Sequence, residues 1–443
     1  MTLPKDFLPL GSKDSQHGET RNARTMKSIL LAAFGSTLLA ALPLHADSSA
    51  AADSINSFGI DLHRRLAAKG GNLVTSPWSI ETALAMTYAG ADGKTKEEMA
   101  KVLHFADSED AVHQGFADLA ADLAALRQKS VKQAQQAKKH GGPTTPLELH
   151  SANRLFGQQG YPFEKSFLRL VDKIYGAPLE LVDFEKAADQ QRKRINAWVE
   201  DQTKARIKDL IPAGLLDRET RLVLTNAVYL KAAWAEAFRE EPKFEFHADG
   251  KTPVKVTGLT RTDSFGHTKI PGGSAVTIPY IGGGLQFVIL VPDERNGLAA
   301  LEKQLTPQIL GAATKATPRE LLLHFPKFKL EPDRVMLADE LIKMGMPTAF
   351  DRPPGSADFS VMAPRKPEDY LFISHVIHKA FIAVDKHGTE AAAATAVVMA
   401  RLAAEPVERP KPLEVRVDHP FAFAIQHVAS GACLFLGRVS DPR

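Results

Sequence analysis

Few stretches of this 443-residue chain carry residue types at spacings that could do chemistry. Gly90-Ala91-Asp92-Gly93-Lys94-Thr95 approaches a phosphate-binding loop, in which backbone amides and a lysine cradle a polyphosphate. That loop needs a glycine five residues before Gly93, and Tyr88 stands there. His375 and His378 are three apart, a spacing that on a strand puts the two rings on opposite faces, unable to share a metal. Cys433 is the single cysteine. It cannot form an intramolecular disulfide, and its apolar surroundings predict a buried, inert thiol. There is no His-Glu-x-x-His, no paired-cysteine motif and no Gly-x-Ser-x-Gly elbow. The sequence therefore predicts no enzyme active site, no metal centre and no cofactor.

The remaining candidate is Gly388-Thr389-Glu390-Ala391-Ala392-Ala393-Ala394-Thr395, between the strand-like run Leu371–Val384 and the Pro-rich segment Glu405–Leu413. Composition alone favours an alanine-rich surface helix there. The neighbours point instead to a segment that changes state. Small Thr and Ala side chains can slide between two existing strands, and Gly388 leaves the backbone permissive at the base. Every second residue of an inserting strand must enter the core. Counted from Thr389, that set is Thr389, Ala391, Ala393, Thr395, Val397 and Met399, all small or apolar, while Glu390 starts the set expected to stay in solvent.

The elements that must hold such a segment change character along the chain. Helical spacing dominates first: Ile55, Phe58, Leu62 and Leu66, ended by Gly70-Gly71; a helix opening at Ser76-Pro77; Glu109–Leu126; and Gln191–Ile207. Lys129–Pro146 reads as a basic helix extension running into a loop, a solvated surface before it is a polyanion site. Strands follow. Leu222–Leu230 is apolar on both faces, which predicts a central strand covered on both sides. Ser274–Tyr280 and Leu285–Val291 flank Gly282-Gly283-Gly284 as a hairpin. Leu321–Phe325, Leu371–Val384, Leu413–Val417, Phe421–Ile425 and Cys433–Val439 complete the set. Helices first and antiparallel strands later imply an α+β fold in one unit, 47–443.

Lys+Arg 55 against Asp+Glu 52 gives no basic field to attract nucleic acid. Met26-Lys27 precedes the apolar run Ile29–Leu42, Pro43 and Ala46. A charged start, a short apolar middle and a small residue at the exit read as a secretory signal cleaved after Ala46, with Met26 as the expected start. Residues 1–46 are thus expected to be leader and signal peptide. The mature protein is expected to be a monomer, secreted or periplasmic, with no membrane segment after cleavage.

Several ordered motifs now resemble one family, the serpins. They are Asn72-Leu73-Val74-Thr75-Ser76-Pro77-Trp78-Ser79-Ile80; Leu224-Thr225-Asn226-Ala227-Val228-Tyr229-Leu230-Lys231 with Trp234; Phe325-Pro326-Lys327-Phe328; His378-Lys379-Ala380-Phe381; the Gly388–Thr395 run; His419-Pro420-Phe421; and Phe435-Leu436-Gly437-Arg438-Val439. The resemblance spans essentially all of 47–443. It implies the serpin fold: one metastable domain with three β-sheets, eight or nine helices and an exposed reactive loop, here about 386–413. It also implies an irreversible suicide-substrate inhibitor of serine proteases, with cysteine proteases as a further class. In that family the cleaved loop inserts into the central sheet and traps the acyl-enzyme, a well-known instance of strand addition. The alternative is a non-inhibitory member that binds a ligand or acts as a chaperone.

The resemblance further implies a polar cluster under the central sheet (Ser76, Ser79, Asn226, His378) and a residue, Trp234, packed where the loop first enters. Lys386 departs from the pattern, which commonly has Glu there; Asp385 and Glu390 are the acidic partners considered for it. Family spacing puts the reactive bond at Leu402-Ala403, suited to chymotrypsin-, subtilisin- or elastase-like enzymes. Arg401 (trypsin-like targets) and Met399 (elastase-like targets) are the alternatives.

Overall fold

The computed structural model describes residues 46–140, 144–248, 252–390 and 411–443. Among them are nine α-helices: α1 Ala46–Ala67, α2 Pro77–Tyr88, α3 Gly93–Val102, α4 Glu109–His140, α5 Lys165–Tyr175, α6 Phe184–Gln202, α7 Leu298–Gln304, α8 Pro307–Thr314 and α9 Ala338–Met344. The strands are β1 Leu73–Thr75, β2 Glu148–Ser151, β3 Arg154–Gln158, β4 Glu180–Val182, β5 Leu222–Ala233, β6 Arg239–Phe246, β7 Val254–Ile270, β8 Gly273–Pro279 and β9 Leu285–Pro292. They continue as β10 Thr317–Pro326, β11 Phe328–Leu330, β12 Val335–Met336, β13 Val376–Asp385, β14 Gly388–Thr389, β15 Leu413–Arg416, β16 Phe421–His427 and β17 Cys433–Val439.

Hydrogen bonding joins these strands into two networks. One runs β1-β17-β16-β9-β8-β7-β10-β15, with β6 beside β7; the other runs β11-β13-β14-β5-β3-β4, with β12 on β13 and β2 on β5. The three sheets expected from the resemblance appear as two because the 17-residue β7 pairs with β8 at one end and with β6 and β10 along the rest. The sheets meet through aromatic side chains: Phe328 of the second lies 5.6 Å from Phe423 and 6.5 Å from Phe287 of the first, ring to ring. Helix α6 covers the opposite face of the second sheet, placing Ile195 and Val199 in one apolar cluster with Val223, Ala227, Ile377 and Phe381. That double cover explains why β5 is apolar on both sides.

Several expectations shift at their edges. The apolar run from Leu371 enters the sheet only at Val376. Leu371 and Ile373 are buried, but Ile373 gives its amide to the Ala349 carbonyl (2.9 Å), so they anchor the chain without joining a ladder. His375 therefore lies ahead of the strand that carries His378. Strands β6 and β7 went unrecognised in the sequence because they alternate charged, exposed residues with few apolar ones. The helix expected over Gln191–Ile207 starts at Phe184, capped by Asp183, and stops at Gln202. Lys204 and Ala205 then take left-handed backbone conformations that turn the chain. No described helix is long and apolar enough to cross a membrane.

Candidate functional site: the seat of the hinge

The two long strands of the second sheet, β5 and β13, run parallel and pair directly from Val376↔Leu224 to Phe381↔Tyr229. Beyond Phe381 they part, and β14 fills the opening. Gly388 and Thr389 pair antiparallel with Ala233 and Ala232 on one side and with Asp385 and Val384 on the other. The first two residues of the expected hinge thus sit as a short strand between β5 and β13. The turn that feeds them is held by Asp385, whose carboxylate accepts from the amides of His387 (2.7 Å) and Gly388 (3.2 Å). Position 388 requires glycine: a Cβ there would lie 2.1 Å from the Ala232 carbonyl oxygen.

The seat is aromatic. Trp234 stacks on Tyr280 with centroids 4.7 Å apart, and its indole N–H donates to the Asp385 carbonyl at 2.9 Å. Its own amide donates to the His387 carbonyl, also at 2.9 Å. Thr389 is fully buried, its hydroxyl 2.5 Å from the Tyr280 hydroxyl. Glu390, expected in solvent, is a correction. Its side chain is only 11% exposed and pairs with Arg206, which the turn after α6 delivers to that face. Burial raises the Glu390 carboxyl above its ordinary value, while Arg206 opposes the shift. Lys386 is another correction. Its partner is Glu240, 3.7 Å away, whereas Asp385 is engaged by backbone amides and Glu390 by Arg206.

Below β14, where β5 and β13 touch, a polar cluster crosses from α2 to the sheet. Ser76, Ser79, Asn226 and His378 are all fully buried. The Ser76 hydroxyl caps α2, accepting from the Ser79 amide (3.2 Å) and donating to the Leu434 carbonyl (2.6 Å). The Ser76 amide donates to His378 Nε2 at 3.2 Å. That bond leaves the proton of a neutral ring on Nδ1, which faces Asn226 Oδ1. The Asn226 amide nitrogen donates to Ser79 Oγ and to Asn153 Oδ1, both at 2.8 Å. Asn226 and His378 stand directly opposite in the register, so their contact bridges the two strands that any inserting strand must separate.

A family model described as Serpin (serine protease inhibitor) matches residues 53–442. The chain belongs to the serpin family. It is 38% identical over 398 residues to a leukocyte elastase inhibitor of Bos taurus, covering 87% of this chain and 97% of that one. It is 35% identical over 415 residues to serpin B10 of Papio anubis, covering 88% and 99%. Among solved structures, uncleaved ovalbumin superposes with a TM-score of 0.72 at 26% identity, over 88% of this chain and 99% of that one.

In this serpin, Ser76, Ser79, Asn226 and His378 come together as one cluster, and Trp234 stands at the entry with Gly388, Thr389 and Glu390. Ala391, Ala392, Ala393, Ala394, Thr395, Met399, Arg401, Leu402 and Ala403 lie outside the described residues, as does the expected signal segment up to residue 45. Sequence reasoning missed Asn153, Arg206, Tyr280 and Glu240. Each reaches the site from a distant strand or turn, and none carries a local signal.

Two expected results follow from the cluster. Asn226→Ala strands the His378 Nδ1–H at a buried site, while Ser79 and Asn153 keep the hydrogen bonds they make to each other. Removing buried partners in this way costs about 3 kcal/mol, to be read as a lower urea midpoint. Burial also lowers the pKa of His378 to about 3. The unfolded chain, with an ordinary histidine near 6.5, then binds the proton more readily. The stabilisation is complete above about pH 6.5 and drains as pH falls towards 3. The slope of melting temperature against pH between 6 and 4 should flatten in His378→Gln.

Proposed function

We propose that this serpin is an irreversible suicide-substrate inhibitor of serine proteases with chymotrypsin-, subtilisin- or elastase-like specificity, and that Leu402-Ala403 is its reactive bond. The protease serine oxygen adds to the Leu402 carbonyl, the Leu402–Ala403 amide breaks, and the new amino terminus at Ala403 leaves with the proton. The loop remains esterified to the protease. The hinge beyond Glu390 then enters between β5 and β13, along a path that β14 has already begun.

The observation that carries this reading is the position of Gly388 and Thr389 between those strands. Thr389 lies in the core as the inward alternation requires. The names of relatives such as the leukocyte elastase inhibitor of Bos taurus favour an elastase-like target. Arg401 and Met399 remain the competing reactive residues, for trypsin-like and elastase-like enzymes. Export after signal cleavage, with the mature chain starting at Asp47 and acting as a monomer, belongs to the same proposal. Its basis is the charged, apolar and small-residue order of 26–46.

The test mixes the protein with chymotrypsin, subtilisin, elastase and trypsin, then boils in detergent. A covalent band with at least one enzyme is the expected result, and mass spectrometry of the released C-terminal peptide should show it starting at Ala403. Clean cleavage with no such band rejects the inhibitor reading. N-terminal sequencing of the exported protein checks Asp47.

A further inference from the structure

One carboxyl group lies inside the apolar packing of α2. Glu81 is fully buried, and neither of its carboxyl oxygens has a hydrogen-bond partner among the described residues. Helical spacing puts it on one face with Trp78, three residues before it, and Ala85, four after. That face enters an apolar cluster with Ala52 and Ile55 of α1 and Val112 and Phe116 of α4.

The helices around it supply no counter-charge. The Ser54 hydroxyl of α1 is given to the Ala51 carbonyl at 3.0 Å. From α5 comes the phenol of Tyr175, an acid that Glu81 and Glu109 both hold in its neutral form. From α4 comes His113, with Nδ1 2.6 Å from the Tyr175 hydroxyl and Nε2 3.6 Å from Glu109. Lys96 of α3 also pairs with Glu109, at 2.5 Å, and lies over the ring of Tyr88. Both bases therefore face Glu109. Burial raises the Glu81 carboxyl well above its ordinary value, and Ser54 opposes the shift. A lone carboxylate in such surroundings is far costlier than the neutral acid.

We propose that Glu81 is a neutral carboxylic acid in the folded protein and acts as a proton-controlled catch on α2. Protonated, it lets α2 pack against α1 and α4. When α2 opens to water, Glu81 gives its proton to solvent and becomes a carboxylate. The open carboxyl titrates near 4.3 and the packed one higher, so the packed state holds the extra proton. Packing of α2 is then tightest below about pH 4.3 and loosens as pH rises towards the packed value, by about tenfold in opening constant per pH unit for one proton. This direction is opposite to that of His378. The start of α2 also holds the polar cluster, through the Ser76 amide on His378 and Ser79 Oγ on Asn226. Loss of the Glu81 proton therefore loosens the grip on the two strands that flank the hinge.

The test measures amide hydrogen exchange of peptides covering Pro77–Tyr88 between pH 5 and 8, corrected for the intrinsic rate. In the parent the opening constant should rise about tenfold per pH unit, and in Glu81→Gln it should change less than twofold over the range. The same pH dependence in both proteins overturns the proposal. Infrared spectroscopy at pH 7 gives a second reading that needs no folded variant at position 81. The parent and Glu390→Gln should both show the carbonyl band of a protonated carboxylic acid, and its absence from the parent overturns the proposal. In folded Glu81→Gln the band should vanish; its persistence there assigns the protonated acid to another residue and rejects Glu81.

Discussion

Thr389→Arg should convert this serpin from an inhibitor into a substrate, with less than a tenth of cleaved molecules ending as covalent complex. Position 389 is buried between β5 and β13, with its hydroxyl against Tyr280. An arginine there must either carry an unpaired charge into the core, at a cost of several kcal/mol, or keep the hinge out. Acylation needs only an accessible reactive bond, so cleavage proceeds. Insertion is then slow relative to deacylation, and the protease is released. Because Thr389 occupies its seat before any cleavage, the uncut variant should also change. Trp234 stacks on the tyrosine that Thr389 contacts, so its fluorescence should shift. Densitometry of the complex and the cleaved band, with a fluorescence spectrum of the uncut protein, checks both parts. Normal trapping by the variant would show that position 389 does not face inward in the inserted state.

The parts of this site legible in the sequence were those fixed by local chemistry. The double-sided apolar pattern of Leu222–Leu230 identified a central strand, and Gly388 and Thr389, the first residues of the expected hinge, sit between it and β13. Ser76-Pro77 identified a helix start, and the structure confirms a serine cap with proline in the first turn. Resemblance grouped Ser79, Asn226 and His378, which come from three elements far apart in the chain.

The expectation for Glu390 failed for a specific reason. Alternation says which face a side chain takes, but not what covers that face. Here the turn after α6 brings Arg206 across it. The partner of Lys386 was also out of reach, because Glu240 lies on β6, a strand whose charged sequence hides its pairing with β7. The run from Leu371 looked like strand because burial and strand pairing leave the same apolar signature.

Insertion would give the cut loop two flanking strands. Each new backbone hydrogen bond contributes about 1 kcal/mol net, and the alternate residues Ala391, Ala393, Thr395, Val397 and Met399 add apolar burial. Among the described residues the uncut protein makes the first two of that strand, and the account assigns the rest of this stabilisation to the cut loop. The most direct measurement is the melting temperature of the intact protein against protein nicked in the loop by a catalytic amount of protease. The account predicts a rise of tens of degrees on nicking. Equal melting temperatures would mean that the cut loop does not enter the sheet, and would contradict it.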